Sequence, residues 1–308
     1  CHPELADTLE LLAAEGDDLF YRGEIAEAIA GSCRDHGHLE REDLAAYAVV
    51  RRAPLELRYR GARLLTNPPP SSGGILVGFA LDLLEQEDVG GLGFGSTAHL
   101  GLLAHVMALT DEARLDAHVD ESGHAADLER LLAPELLAHY RARVPPAPRA
   151  RRGTTQVSII DGAGNIATLT LSNGEGCGHL VPGTGIMLNN MLGEQDLNPR
   201  GFHRWPTDTR MTSMMAPTIL TLPGGRRVAT GSGGSNRIRT ALLQVISNLV
   251  DFGMDVAEAV EAPRLHNEGI LNVEAGFGTG ALAPVLEVWP EHRVWPGLNL
   301  FFGAGQEV

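Results

Sequence analysis

The chain has 308 residues, 44% of them hydrophobic and 20% charged, and a net charge of −15. That length suffices for one large core or two ordinary domains, and the acidic balance argues against nucleic acid or an anionic membrane as partner. All 24 basic residues are arginine, which excludes Schiff-base lysine chemistry and a Walker-type phosphate loop. The three cysteines, Cys1, Cys33 and Cys177, are too few for a disulfide framework.

Residues 3–14 place Leu5, Leu9, Leu11 and Leu12 at helical spacing. A second helix is expected over 23–32 and a third over 39–47. Cys33-x-x-His36-x-His38 has metal-like spacing, but no second ligand pair lies nearby, so it reads as a solvated helix end. Residues 49–59 alternate like a strand, and 62–66 form another. Asn67-Pro68-Pro69-Pro70-Ser71-Ser72-Gly73-Gly74 forbids regular structure; it is a structural corner or a wall of a site. Ser71 or Ser72 can cap the helix expected over 75–85. Helices are expected over 97–116, where His99 and His105 read as surface or core histidines, and over 124–142. No run reaches about 18 apolar residues, so no membrane-spanning helix is read.

The strongest break in composition is the Arg/Pro-rich connector 145–152, which ends at Gly153. Thr154-Thr155-Gln156-Val157-Ser158-Ile159-Ile160 follows as an alternating strand. Asp161-Gly162-Ala163-Gly164-Asn165 is a turn, and 166–171 a second strand. A threonine opening a strand is ordinary β-propensity. It also suits an amino-terminal nucleophile. If the Gly153–Thr154 bond breaks, Thr154 gains an α-amine with a pKa of about 7.7–8.0, able to act as base for its own hydroxyl. The threonine methyl restricts χ1 and helps to aim the oxygen.

Downstream, Asn173-Gly174-Glu175-Gly176-Cys177-Gly178 is a flexible loop and 186–188 a short strand. Residues 193–209 are long for a structureless connection, which hints at function or a lid. Strands over 218–222 and 227–230 flank Pro223-Gly224-Gly225. Gly231-Ser232-Gly233-Gly234-Ser235-Asn236 leads into a helix over 237–252, a place for a developing oxyanion or simply a tight turn. A short helix over 256–262 and a strand over 270–274 complete the reading.

In order, these landmarks resemble the gamma-glutamyltransferase (glutathione hydrolase) family over essentially the whole chain. The resemblance rests on the 42–47 and 67–74 segments, Thr154-Thr155-Gln156-Val157-Ser158, Gly183-Thr184-Gly185-Ile186-Met187-Leu188-Asn189-Asn190, Ala216-Pro217-Thr218, Gly231-Ser232-Gly233-Gly234-Ser235, and Ala262-Pro263-Arg264. It implies an α+β fold, the four-layer αββα sandwich of N-terminal-nucleophile hydrolases. The precursor would split at Gly153–Thr154. Residues 1–153 would be the C-terminal part of a large subunit whose first part is missing. Residues 154–308 would be the small subunit, truncated at its C-terminal end.

The resemblance further implies that Thr154 forms a γ-glutamyl ester with glutathione or a related γ-glutamyl compound, resolved by water or an acceptor amine, without cofactor or metal. Gly234 and Ser235 match the oxyanion hole, and Asn173 a contact to the glutamyl group. Ser172 is the candidate second hydroxyl beside the nucleophile's amine. Ser213 and Met214 fall on the segment for the substrate α-carboxylate, where Met214 replaces a hydroxyl. Glu194 stands where aspartate is usual, and Met191 where a polar residue is common; a shift of about 1 Å can cost a hundredfold in rate. These departures keep two alternatives open: an acylase of the same fold with glutaryl or cephalosporin-like specificity, and a non-catalytic binding protein.

Overall fold

The computed structural model describes residues 2–35, 37–117, 130–141, 155–194, 197–198, 201–303 and 305–307. The chain divides into two compact units, one of Cys1–Arg52 with Asn173–Met191, the other of Ala53–Ser172 with Leu192–Val308.

The first unit opens with four helices: α1 (Pro3–Glu15), α2 (Asp18–Tyr21), α3 (Glu24–Cys33) and α4 (Arg41–Ala46). Proline at the start of α1 and Gly16 after it (φ 87°) punctuate the first helix. Ile25, Ala26, Ile29 and Leu44 bury together with Val181, and Ile186 and Leu188 pack against them. The Thr8 hydroxyl donates to the Thr184 carbonyl at 2.9 Å. Gly185 (φ 64°) passes so close to α1 that a Cβ there would lie 2.6 Å from Leu5 N. Residues 186–188 are not a strand. Only an isolated Leu180–Met187 bridge forms, because Gly183 and Gly185, both at positive φ, turn the chain before a ladder can grow.

The second unit contains β1 (Leu55–Tyr59), β2 (Ala62–Thr66), α5 (Gly73–Glu85), α6 (Val89–Leu92), α7 (Thr97–Asp116), α8 (Pro134–Arg141), β3 (Thr155–Ile160), β4 (Ile166–Leu171), β5 (Thr218–Thr221), β6 (Arg227–Ser232), α9 (Arg237–Val250), α10 (Val256–Glu261), β7 (Leu265–Asn267), β8 (Leu271–Val273), α11 (Thr279–Val288), β9 (His292–Val294) and β10 (Gly305–Glu307). The main sheet runs β1-β2-β5-β6-β10 and is antiparallel throughout. Tight turns at Arg60-Gly61 (φ 45° and 81°) and Gly224-Gly225 (φ 90° and 86°) close its hairpins. The nearly all-apolar α5 packs on β1, α7 and α9; Gly78 allows this, since a Cβ there would lie 2.9 Å from the Leu57 side chain.

The separate β3–β4 hairpin packs against β6. Helices, main sheet and hairpin thus stack in that order, consistent with the α+β class and the N-terminal-nucleophile type of fold. The hairpin is turned opposite to the usual sense. Gln156 and Thr170 are buried toward the main sheet, whereas Val157, Ile159, Leu169 and Leu171 are exposed. Asp161 locks its turn, accepting from Ala163 N at 2.9 Å and Asn165 N at 2.8 Å.

Several boundaries differ from expectation. The strand expected over 49–59 is confined to Leu55–Tyr59, since Pro54 lacks an N–H for the ladder. Helix α5 starts at Gly73 with Ser72 preceding it, but no Ser72 side-chain cap forms; the hydroxyl donates instead to Ser213 O at 3.2 Å. Helix α9 ends at Val250, and the expected 270–274 strand is Leu271–Val273. Of the helix expected over 124–142, residues 130–132 form a 3-10 turn and α8 follows; the remainder lies outside the described residues.

His99 is buried in α7, its Nδ1 accepting from Gly95 N–H at 3.1 Å. Burial pushes its imidazole down from 6.5 to about 4. Between these values the unfolded chain binds the proton and the folded protein does not. Stability from this site is therefore complete above pH 6.5 and is lost as pH falls through about 4. We expect the loss to reach about 3 kcal/mol. Urea unfolding across that pH range checks it; His99→Gln should flatten the slope, and an unchanged slope would contradict the assignment.

Candidate active site

The stacking of β3 on β6 organises the second unit's candidate site residues. Gln156, the second residue of β3, lies over Gly231 near the end of β6: a Cβ at Gly231 would stand 2.1 Å from Gln156 Oε1. The Gln156 amide donates to Ser158 Oγ at 3.0 Å and Thr168 Oγ1 at 2.7 Å, and its oxygen accepts from the Thr170 hydroxyl at 2.5 Å. Thr168 Oγ1 in turn reaches Thr230 O at 3.5 Å. Moving from Gln156 to the Ser158–Thr168 pair thus moves from Gly231 back to Thr230. The start of β3 therefore lies toward the end of β6, where the chain enters the turn at residues 232–236.

That turn is buried up to Gly234 and has two left-handed residues, Gly234 (φ 124°) and Ser235 (φ 55°). Serine in this region stores strain that neighbouring structure must hold. Gly234 O accepts from Arg237 N at 3.1 Å and Ser235 O from Ile238 N at 3.0 Å, which starts α9. The turn consequently meets the positive end of a 14-residue, almost wholly buried helix.

Thr154 and Gly153 lie outside the described residues. Thr155 pairs with Leu171, so Ser172 follows the residue opposite Thr155; Ser172 is half-buried. Ser213 is tied to the proline-rich loop. Its carbonyl accepts from Ser72 N at 3.0 Å, Gly73 N at 3.1 Å and the Ser71 hydroxyl at 3.0 Å, and its own Oγ accepts from Met215 N at 3.0 Å. The rigid loop is thus both a corner and the support of this segment. Met214 is core, with Sδ 3.6 Å from Ser72 Oγ. Glu194 is half-buried, its carbonyl accepting from Asn198 Nδ2 at 2.7 Å. In the first unit, Asn173 is exposed and accepts through its carbonyl from Gly176 N at 2.9 Å; Met191 N donates to Asn189 Oδ1 at 3.0 Å.

Behind the turn lies a buried cluster that sequence reasoning missed. Glu268 Oε1 accepts from Asn236 Nδ2 at 2.7 Å and stands 3.4 Å from Arg114 and 3.5 Å from Arg239. Asp111 pairs with Arg239 at 2.8 Å. His266 Nε2 lies 3.3 Å from Glu268 Oε2, while its Nδ1 contacts the Thr240 hydroxyl at 2.8 Å. Burial, then the Glu268 charge, push the Asp111 carboxyl up to about 6 against the pull of Arg239 and Arg114. Burial pushes Glu268 upward as well. Among the described residues no group of three or more His, Cys, Asp or Glu is arranged to hold a metal, and no helix is long and apolar enough to cross a membrane; His36 of the Cys33 motif lies outside them.

A family model described as gamma-glutamyltranspeptidase matches residues 1–303. The glutathione hydrolase proenzyme of Escherichia coli K12 is 34% identical, covering 90% of this chain and 53% of that protein. The acylase ACY 1 proenzyme of Pseudomonas sp. SE83 is 33% identical, covering 88% of this chain and 51% of its own. Among solved structures, cephalosporin acylase from Bacillus halodurans superimposes with a TM-score of 0.82 at 26% identity, over 99% of this chain and 57% of that one. The chain spans about half the length of the curated relatives it matches.

A side chain on Gly231 would displace the buried Gln156 amide from its hydrogen bonds. Gly231→Ala should destabilise the protein by about 1–3 kcal/mol, read as a lower denaturant midpoint. Adding Gln156→Ala should recover part of the loss; a midpoint unmoved by Gly231→Ala would refute the close approach.

Proposed function

Because the chain belongs to the gamma-glutamyltranspeptidase family, we propose that the complete protein is a γ-glutamyl hydrolase and transferase that matures by cutting itself at Gly153–Thr154. The observation that carries this reading is that β3, which follows Thr154 directly, begins at the end of β6 that leads into the strained Gly234-Ser235 turn.

In this scheme the freed α-amine of Thr154 takes the proton of its own hydroxyl. The oxygen attacks the γ-carbonyl of glutathione or another γ-glutamyl amide. The amides of Gly234 and Ser235 receive the negative charge that develops on the carbonyl oxygen, a contribution of about a hundredfold or more per donor. The protonated amine gives its proton to the departing nitrogen as the C–N bond breaks, leaving a γ-glutamyl ester. Water or an acceptor amine repeats the sequence and frees the threonine. Ser172 is assigned to steady the amine, which its place directly after the partner of Thr155 supports. Glu194 and Ser213 are assigned to the glutamyl group. The products of cleavage stay together as a large and a small subunit.

A second reading has a specific basis: acylases are among the relatives, and Glu194, Met191 and Met214 depart from the glutamyl pattern. It predicts a glutaryl amide turned over faster than its γ-glutamyl counterpart; the reverse order rejects it.

Thr154→Ala should abolish both self-cleavage and turnover, whereas Thr154→Ser should retain part of each and Thr155→Ala should still split. Gel analysis, with N-terminal sequencing of the smaller band, decides: a sequence other than Thr-Thr-Gln-Val, or a wild type that never splits, refutes the scheme.

A further inference from the structure

We propose that Glu268 is a positioning residue for this reaction, its buried carboxylate anchoring the head of α9 and so holding the Gly234-Ser235 turn in its working conformation. The proposal rests on the reading of that turn as the oxyanion hole.

Asn236 is the residue from which α9 starts, and an asparagine there ordinarily caps the helix with its own side chain. It makes no such bond. Its Nδ2 donates instead to Glu268 Oε1 at 2.7 Å, across 32 residues of sequence and with both side chains buried. One turn along the same helix, Arg239 lies 3.5 Å from the same oxygen. Positions 236 and 239 share a helical face, so one carboxylate grips α9 at both. The grip has fixed ends elsewhere. Asp111 on α7 holds Arg239 at 2.8 Å, Arg114 on α7 approaches Glu268 at 3.4 Å, and Asn267 Nδ2 ties the adjoining β7 to Ala104 O at 3.0 Å.

The residue immediately before Asn236 is Ser235, at φ 55°. A non-glycine residue keeps such a backbone only where its surroundings over-determine it. Asn236 supplies the constraint on its C-terminal side. Without the Glu268 bond, the Asn236 amide has reason to swing toward an ordinary cap, and the preceding peptide units would turn with it. A displacement of about 1 Å at a catalytic donor costs about a hundredfold in rate.

The test uses full-length, self-cleaved protein and the faster of the γ-glutamyl and glutaryl p-nitroanilides. Glu268→Ala should lower kcat about a hundredfold with KM unchanged. Glu268→Gln keeps an acceptor for Asn236 and should lose about tenfold. Asn236→Ala leaves the charged partners of Glu268 intact, so it should fold even where Glu268→Ala does not, and should also lower kcat at constant KM. The Asn236→Ala/Glu268→Gln double variant should fall no further than the worse single. A purely structural role would lower the melting temperature and leave kcat of the folded, cleaved enzyme untouched. Unchanged kcat in Asn236→Ala, or losses that multiply in the double variant, overturn the proposal alone. A wild type that cleaves itself yet turns over neither anilide removes the oxyanion reading, and the proposal with it.

Discussion

The second unit depends on how closely one buried side chain approaches the backbone of the main sheet. Gln156 lies where any side chain on Gly231 would have to be, so the two sheets meet through an amide and hydroxyls instead of interdigitated aliphatic groups. An amide so placed is tolerable only when its bonds are made, and Ser158, Thr168 and Thr170 make them. These bonds fix the amide within the hairpin, and Thr168 Oγ1 reaches across to Thr230 O at 3.5 Å. Held in that place, the amide fits over β6 where residue 231 has no side chain, which sets the register of β3 on β6. That register sends the start of β3 toward the turn that precedes α9.

The same polarity explains the outward face of the hairpin. Side chains alternate along a strand, so lining the seam with Gln156, Ser158, Thr168 and Thr170 commits Val157, Ile159, Leu169 and Leu171 to the opposite side, where they are exposed. A second polar assembly stands behind the turn. Asp111, Arg114, Arg239, Glu268 and His266 are each nearly inaccessible to solvent. Burying such groups is weak evidence for stability, since well-packed apolar residues would often do as well. What charges give that aliphatic side chains do not is a bond in a chosen direction, and here the bonds converge on the first turn of α9.

The sequence pattern made much of this legible, and the failures have identifiable causes. Helix α7 and the β4 strand stand where periodicity and turn residues placed them. So do the hairpin turn at Asp161 and the entry into α9 from a glycine-rich loop. The strand expected over 49–59 is longer than the observed one because, besides the break at Pro54, alternation does not register that Val49 and Val50 are solvated. Helix α11 is not expected from the sequence because Pro284 sits inside it and argues against helix on local grounds. The buried charge cluster was invisible for a deeper reason. Asp111 and Arg114 are three apart in α7, a spacing also found in exposed helical ion pairs, and the tertiary partner Glu268, 154 residues from Arg114, is what ties them into the interior. Similarly, the inward turn of Gln156 cannot be told from sequence, since the apolar residues of an alternating strand are normally assigned to the core.

The segment at residues 213–215 is packed in a way that the related pattern alone does not suggest. Met214 replaces a hydroxyl of the related pattern, which reads as a loss of polarity toward substrate. Its side chain is instead core, against Ser72, and a Cβ at Gly73 would lie 2.2 Å from its carbonyl oxygen. The substitution thus adds a buried thioether that fills space beneath the proline-rich loop. What remains polar there is Ser213, whose carbonyl is held by the Ser72 and Gly73 amides and the Ser71 hydroxyl, and whose own hydroxyl receives the Met215 amide. The Ser72 hydroxyl reaches the same carbonyl at 3.2 Å, so this segment and the proline-rich loop are bonded to each other through hydroxyls as well as backbone. The segment thus carries its polarity on Ser213 and its apolar bulk on Met214, a division set by packing against the proline-rich loop.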